Sequence, residues 1–302
     1  GVQTCALPIS ETFYNKGEYE KTTLLLWKQI DKLDRKALIL LAKAHQKKNE
    51  PSEMIRALNI SLGKNEKDAE ANALMGDAFN MQKNSKDALE HYKTALEIDP
   101  KYEPAYRSLA VHYEKNPYEL RILYQDMIQN LGSRPEFIAK LCEINTQDGT
   151  FEDALKGCRE AIVKDPKLAD PYVNLAISLK ATGADAEAVK TMKKAADDFP
   201  KSEFAQYTYG RQLEEQKSYV EAMKYYKQGV DADPKAARSW LGLATTSFEV
   251  KKYDISLIAY KNACKYDKKT AVAFRKATTV LRTNRNSDWI GKFESASDNC
   301  TF

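Results

Sequence analysis

Pro166, Pro200 and Pro234 stand 34 residues apart, and similar text precedes each of them. A fixed period of this length constrains the architecture first. Each period must be one supersecondary unit that cannot bury its apolar face alone and so stacks on its neighbours. Pro100 lies 66 residues before Pro166, two short of twice the period. The segments ALEHYKTALEIDP, ALKGCREAIVKDP, AVKTMKKAADDFP and AMKYYKQGVDADP recur in phase. With Ala69 as position 1, repeats start at Arg35, Ala69, Glu103, Pro135, Ala169, Glu203 and Ala237. The repeat from Glu103 is two residues short, a partial unit precedes Arg35, and a half-repeat starts at Ala271.

Residue size follows the register. Position 8 is small throughout: Ala42, Gly76, Ala110, Cys142, Ala176, Gly210, Ala244 and Thr278. Positions 20 and 27 are mostly Ala, Ser or Gly, as in Ala88, Ala188, Ala222, Ala95, Ala195 and Gly229. Position 7 is large and apolar, and position 24 holds Leu58, Tyr92, Met192, Tyr226 and Tyr260. Positions 4, 7, 8 and 11 share one helical face, as do 20, 21, 24, 27 and 28. Each repeat therefore reads as two amphipathic helices whose axes approach closely at the small residues, with bulky ones filling the gaps. Proline at position 32 cannot continue the second helix. Pro104, Pro135 and Pro171 fall in first turns of first helices, where a missing N–H is harmless. Pro51 and Pro117 fall in the turn between paired helices.

These residues resemble the tetratricopeptide repeat family, whose pattern is Trp, Leu, Gly, Tyr, Ala, Phe, Ala and Pro at positions 4, 7, 8, 11, 20, 24, 27 and 32. Trp240, Leu243, Ala244 and Tyr260 fit it in one repeat; Gly76, Phe79, Ala88, Tyr92, Ala95 and Pro100 fit it in another. The resemblance implies an all-α, right-handed α-solenoid (superhelix) of stacked antiparallel helix pairs, with about seven full repeats plus partial first and last units. The expected organisation is a partial repeat over 10–34, seven repeats over 35–270, and a capping helix with a polar, frayed tail over 271–302. Asn-Pro-Tyr at the turn of the short repeat, and its lack of alanine at position 20, predict a distorted hairpin there.

Residues 1–9 resemble the translation of a common sequencing adapter and are set aside as a non-native scar. Phe13, Tyr14, Gly17 and Tyr19 fit positions 11, 12, 15 and 17, so the scar is expected to replace the start of a first helix.

Little in the sequence speaks for catalysis. His45, His91 and His112 are scattered over three repeats without a nucleophile or second ligand, and read as packing or surface histidines. No GxGxxG, GxxxxGK[ST] or HExxH occurs, so neither a cofactor nor a metal is expected. A net charge of +4 from 47 bases and 43 acids argues against nucleic acid. The longest clean apolar stretch, Ala37 to Ala42, is far short of the about 20 residues a membrane span needs. Cys142 and Cys158 at positions 8 and 24 should both face the helix-pair interior. They read as small buried thiols rather than a disulfide, which favours a reducing, cytoplasmic compartment. Cys264 reads as a small apolar substitute at position 28.

The family resemblance places positions 2, 5, 9, 12 and 13 on the inner wall of the superhelix. From Ala169 to Ala237 these contribute Val173, Ile177, Lys180, Tyr207, Arg211, Leu241, Thr245 and Phe248, an apolar strip edged by cations. Arg107, Arg238, Arg275 and Arg282 add positive charge; Glu136, Glu143, Asp170, Glu214 and Glu215 supply acid. Such a groove suits a peptide with an apolar anchor and some acidic groups. The other reading is a scaffold whose contacts lie elsewhere. The family's chaperone-tail clamp fails at four of five positions: only Asn174 matches, beside Ala139, Glu143, Phe204 and Thr208. The function expected is thus a non-enzymatic scaffold for a protein or peptide partner. The alternative is the repeat portion of a larger enzyme, or of an envelope- or pilus-assembly lipoprotein, whose N-terminal part is missing; a periplasmic or membrane-anchored location goes with that expectation. Partner identity and oligomeric state stay open.

Overall fold

A computed structural model describes residues 3–300 and, of residues 3–6, the backbone alone. The described residues form 18 α-helices and two short 3-10 turns, with no strand among them. They fall into two compact units that adjoin in sequence at Arg134 and Pro135. The first unit holds α1 (Gln3–Asn15), α2 (Tyr19–Trp27), α3 (Arg35–Lys47), α4 (Pro51–Lys64), α5 (Ala69–Met81), α6 (Ser85–Ile98), α7 (Glu103–His112) and α8 (Pro117–Leu131). The second holds α9 (Pro135–Asp148), α10 (Phe151–Lys164), α11 (Ala169–Ala181), α12 (Asp185–Asp198) and α13 (Glu203–Glu215). It continues with α14 (Tyr219–Ala232), α15 (Ala237–Glu249), α16 (Tyr253–Tyr266), α17 (Ala271–Thr283) and α18 (Ser287–Asp298).

Every first helix from α3 onward starts at the residue the 34-residue register marks. The packing logic is the one expected. Ala88, Ala154, Ala188 and Ala222 at position 20 are all within 1 % of complete burial. A Cβ added to Gly76 would come within 2.6 Å of the Tyr92 ring, and one on Gly210 within 3.0 Å of Tyr226. The large residue at position 24 thus sits in a notch that only a small residue at position 8 leaves open. Tyr226 is fully buried and also occupies the space beside Gly242, so alanine there would overlap its ring.

What ends every first helix except α7 is a feature the sequence pattern hides. Gly17, Asn49, Lys83, Gly149, Gly183, Lys217, Lys251 and Arg285 all have positive φ, from 53° at Arg285 to 84° at Gly183. All occupy position 15. In the α13–α14 turn the Lys217 N–H donates to Glu214 O at 2.9 Å and the Ser218 N–H to Leu213 O at 2.9 Å. This left-handed cap satisfies carbonyls that the helix end would otherwise leave open. Lysine, asparagine and arginine accept it at a cost of about 1 kcal/mol each, which hydrogen bonds and packing of the next helix outweigh.

The short repeat lacks this cap. α7 ends at His112, Asn116 N–H donates to Tyr113 O at 2.8 Å, and Ala110 at position 8 is only half-buried. The two missing residues are those that would form the left-handed turn, which gives the expected distortion its cause. Pro51 and Pro117 sit one step later than expected: each is the first residue of a second helix, α4 and α8.

The acidic residue before the repeat proline also has a role. Asp99, Asp165 and Asp233 end their helices in extended conformation, as a residue preceding proline prefers. Their side chains accept the N–H of Lys101, Lys167 and Lys235, each at 2.9 Å. Asp267 accepts the Lys269 N–H at 2.9 Å in the same way, so the turn survives where Lys268 replaces proline.

Two sequence-based expectations are corrected. Cys142 and Cys158 form a disulfide with Cα atoms 5.2 Å apart, and Cys264 and Cys300 form another at 5.8 Å. Positions 8 and 24 face each other across the hairpin, the distance a disulfide spans, so the reading as separate buried thiols fails. The preference for a reducing compartment loses its premise with it. The expected capping helix is present as α18, but the tail behind it is not frayed at Cys300, whose bond to α16 pins it; residues 301 and 302 lie outside the described residues. Phe293 of α18 is fully buried against Phe274 and Tyr260. At the other end, α1 runs from Gln3 through Pro8, so most of the segment set aside is helical; residues 1 and 2 lie outside the described residues.

Candidate functional site

The first helices α11, α13 and α15 pack side by side in the second unit. Their shared face carries two adjoining clefts of about 490 and 330 Å³, which have Tyr207, Arg211, Glu215 and Arg238 in common. Ile177, Lys180 and Phe204 belong to the larger, Leu241 and Thr245 to the smaller. Six of the nine residues expected at the groove therefore come together: Ile177, Lys180, Tyr207, Arg211, Leu241 and Thr245.

The other three do not. Val173 is 1 % exposed and packs with Tyr172, Ala195 and Ala205, because α13 covers position 5 of α11 with a small residue. It supports the groove from beneath and presents nothing to it. Arg107 is exposed in the first unit, held by Glu103 at 2.8 Å. Arg275 is exposed on α17 and lines neither cleft.

Electrostatically the groove is self-paired. The Lys180 ammonium donates to Gln212 Oε1 at 2.8 Å and pairs with Glu215, which also meets Arg211 at 3.4 Å. Burial works against the Glu215 charge, but the Lys180 and Arg211 cations overcome it and hold its carboxyl below the usual range. Arg238 Nε donates to both Glu203 oxygens at 3.0 Å. That charge-assisted bond raises the guanidinium's proton affinity. The same guanidinium lies 4.8 Å from the Tyr207 ring centroid and 5.2 Å from that of Phe204. Such stacking contributes about 0.5–1 kcal/mol at exposed sites and fixes two aromatic faces towards the cleft.

Beneath them Glu214 accepts from Tyr226 Oη at 2.6 Å and from Thr245 Oγ1 at 3.0 Å. Burial and this carboxylate both push the Tyr226 phenol up, so it stays a neutral donor. The result is a rigid aromatic platform edged by neutralised charges. It can hold an apolar or aromatic side chain; it offers no unpaired cation.

Sequence reasoning missed Phe204 as a wall, Arg238 as a clamp and Glu203 as its anchor. A signal existed. Glu203–Arg238, Lys180–Glu215 and Arg35–Glu70 are each separated by 35 residues, one repeat plus one. Acid and base at that offset fall on adjacent first helices. The histidines are placed separately: His45 meets Glu50 at 2.7 Å, His91 meets Asn72 at 3.2 Å and stacks on Phe79, and His112 lies beside Tyr92. Among the described residues no three His, Cys, Asp or Glu side chains form a metal-binding group. No helix among them is long and apolar enough to cross a membrane.

Comparison with known proteins agrees with the repeat geometry. Family models described as TPR repeat and tetratricopeptide repeat match residues 76–116 and 173–237. No curated protein matches the chain. Among solved structures it is similar to the C-terminal part of a TPR repeat-containing protein from Cytophaga hutchinsonii. That likeness has 13 % identity and a TM-score of 0.62 over 78 % of this chain and 99 % of that one. It is also similar to YrrB, a TPR protein with an unusual peptide-binding site, at 16 % identity and a TM-score of 0.46, over 61 % of this chain and 96 % of that one. The matched segments include Gly76, Ala88, Tyr92, Ala95 and Pro100 in one case and Ala188, Tyr207, Gly210, Tyr226 and Pro234 in the other, the same notches and punctuation that shape the helices. The chain thus carries tetratricopeptide repeats, matched at residues 76–116 and 173–237, within an all-helical repeat scaffold.

Proposed function

We propose that this chain is a non-catalytic scaffold that binds a peptide segment of a partner protein on the face of α11, α13 and α15. The observation that carries this reading is the aromatic platform of Phe204 and Tyr207, clamped by Arg238 and flanked by Ile177 and Leu241. Preorganised aromatic surface loses little conformational entropy on binding, which favours affinity. Because Lys180, Arg211 and Arg238 already hold carboxylates, acidic groups are not what the groove selects. An aromatic or aliphatic anchor side chain is the main determinant.

Panning a displayed peptide library against the purified protein tests this. Selected peptides should share an apolar anchor and lose tenfold or more in affinity to Tyr207→Ala, with a smaller loss for Arg211→Glu. Equal binding by wild type and Tyr207→Ala would overturn the groove.

A second reading, the envelope-assembly role, is favoured by the two disulfides, since such bonds persist in oxidising compartments. Counting free thiols in protein taken directly from its native cells checks it. Alkylation of all four cysteines without reductant would contradict it.

A further inference from the structure

The cleft between α16 and α18, about 650 Å³, has a lining unlike that of the groove. Four of its wall residues are lysines: Lys261, Lys265 and Lys268 on one side, Lys292 on the other. All four are exposed, and no carboxylate lines the cleft. Among the described residues none of the four takes part in an ion pair; Lys292 lies 4.4 Å over the Trp289 ring and Lys265 5.2 Å over that of Tyr266. Asp267 is engaged elsewhere, accepting the Lys269 N–H.

Lys261 and Lys265 stand at i, i+4 on one face of α16, and Lys268 opens the short 3-10 turn that follows the extended Asp267. The Lys261–Lys265 pair spans about 6 Å at about 1.5 Å per residue. Like charges at that spacing destabilise a helix by about 0.2–0.5 kcal/mol per pair. The isolated protein thus bears a repulsion that a polyanion would relieve. The floor between the walls is apolar: Leu257, Ala296 and the Cys264–Cys300 disulfide.

We infer that this cleft is a docking site for an acidic peptide segment of a partner protein. In an extended peptide, side chains on one face recur about every 6.6 Å, so two carboxylates match the Lys261–Lys265 spacing, with Lys268 and Lys292 lining the same cleft. The apolar floor receives the methylenes between them. A single phosphate is too small to engage all four lysines. A membrane surface would need apolar side chains projecting from the rim, whereas here they are recessed. The site shares no lining residue with the groove on the first helices.

Fluorescence anisotropy with dye-labelled hexaglutamate at low ionic strength tests the inference. Wild type should bind, with affinity falling at least tenfold between 50 and 300 mM salt, as expected for released counter-ions and screened charges. Lys261→Glu with Lys265→Glu should weaken binding tenfold or more at an unchanged circular-dichroism spectrum, and Arg211→Gln in the groove should leave it unaltered. If the double variant misfolds, Lys292→Glu on the opposite wall should give the same loss. Absent binding by wild type, or equal binding by wild type and the lysine variants, overturns the inference. So does displacement by inorganic phosphate at concentrations matching the peptide's, or lysine-dependent sedimentation with 30 % phosphatidylserine vesicles that outcompetes hexaglutamate.

Discussion

The face of α11, α13 and α15 and the cleft between α16 and α18 both carry several cations, yet they are opposite electrostatic objects. In the first, Lys180, Arg211 and Arg238 each hold a carboxylate from an adjacent turn or helix. In the second, four lysines line a cleft with no acid in its walls. The first is preorganised for shape and aromatic contact, the second for charge. Counting bases along the chain would rank them alike; only the positions of the acids separate them.

The largest expected effect separates the two mechanically. Cys264→Ser with Cys300→Ser removes a cross-link over 36 residues, which chain-entropy arguments value at about 4 kcal/mol. Hydrogen exchange should rise sharply in α18 and the end of α16, with little change around Tyr207. Equal acceleration in both places would mean that cleft and groove belong to one cooperative unit.

Next comes the platform itself. Gly242→Ala forces a methyl group into the Tyr226 ring and should cost about 1–3 kcal/mol in denaturant unfolding. It should also weaken groove-selected peptides while sparing hexaglutamate. A melting temperature equal to wild type would show that Tyr226 is not held between Gly210 and Gly242.

Glu215→Gln converts the groove towards the cleft's character by freeing Lys180 and Arg211. It should add a weak, salt-sensitive site for hexaglutamate at the cost of at most about 1 kcal/mol in stability, since the pair is half exposed. The pH dependence has a definite sign. Glu215 titrates below its unfolded value in the native protein, so its contribution is complete above the ordinary carboxylate range. It is lost as pH falls through the lowered native value. Urea midpoints from pH 6 down to pH 3 should therefore converge for wild type and Glu215→Gln. Divergence towards acid would reverse the assignment.

The smallest effect is the relief of lysine repulsion. Lys265→Gln should stabilise the protein by a few tenths of a kcal/mol at low salt, and the gain should vanish at 0.5 M salt. A loss of stability instead would mean that Lys265 already has a partner.

The repeat was legible because its cause is local and periodic. Small residues at positions 8, 20 and 27 leave notches for Tyr92, Tyr226 and Tyr260 wherever the chain returns to the same phase, so helix starts could be read directly. The left-handed cap at position 15 was not legible, because Gly, Asn, Lys and Arg all fill it; backbone hydrogen bonding decides the conformation there, not residue type. The groove was partly legible. Tyr207 and Arg211 fall on the expected face, but Val173 is covered by Ala205 of the next helix. Arg238 also acquires its role from Glu203 thirty-five residues away. Cys264 and Cys300 were missed for a similar reason. Their approach depends on how α17 and α18 fold back on α16, and no spacing within one helix pair encodes it.

The Cys264–Cys300 bond has a consequence under load. α17 and α18 lie wholly inside the loop it closes. Tension applied just beyond Cys300 passes through the sulfurs to α16 and cannot peel the last two helices away. About 13 nm of chain, 36 residues at about 3.5 Å each, is hidden length that a force trace recovers only after a reductant is added.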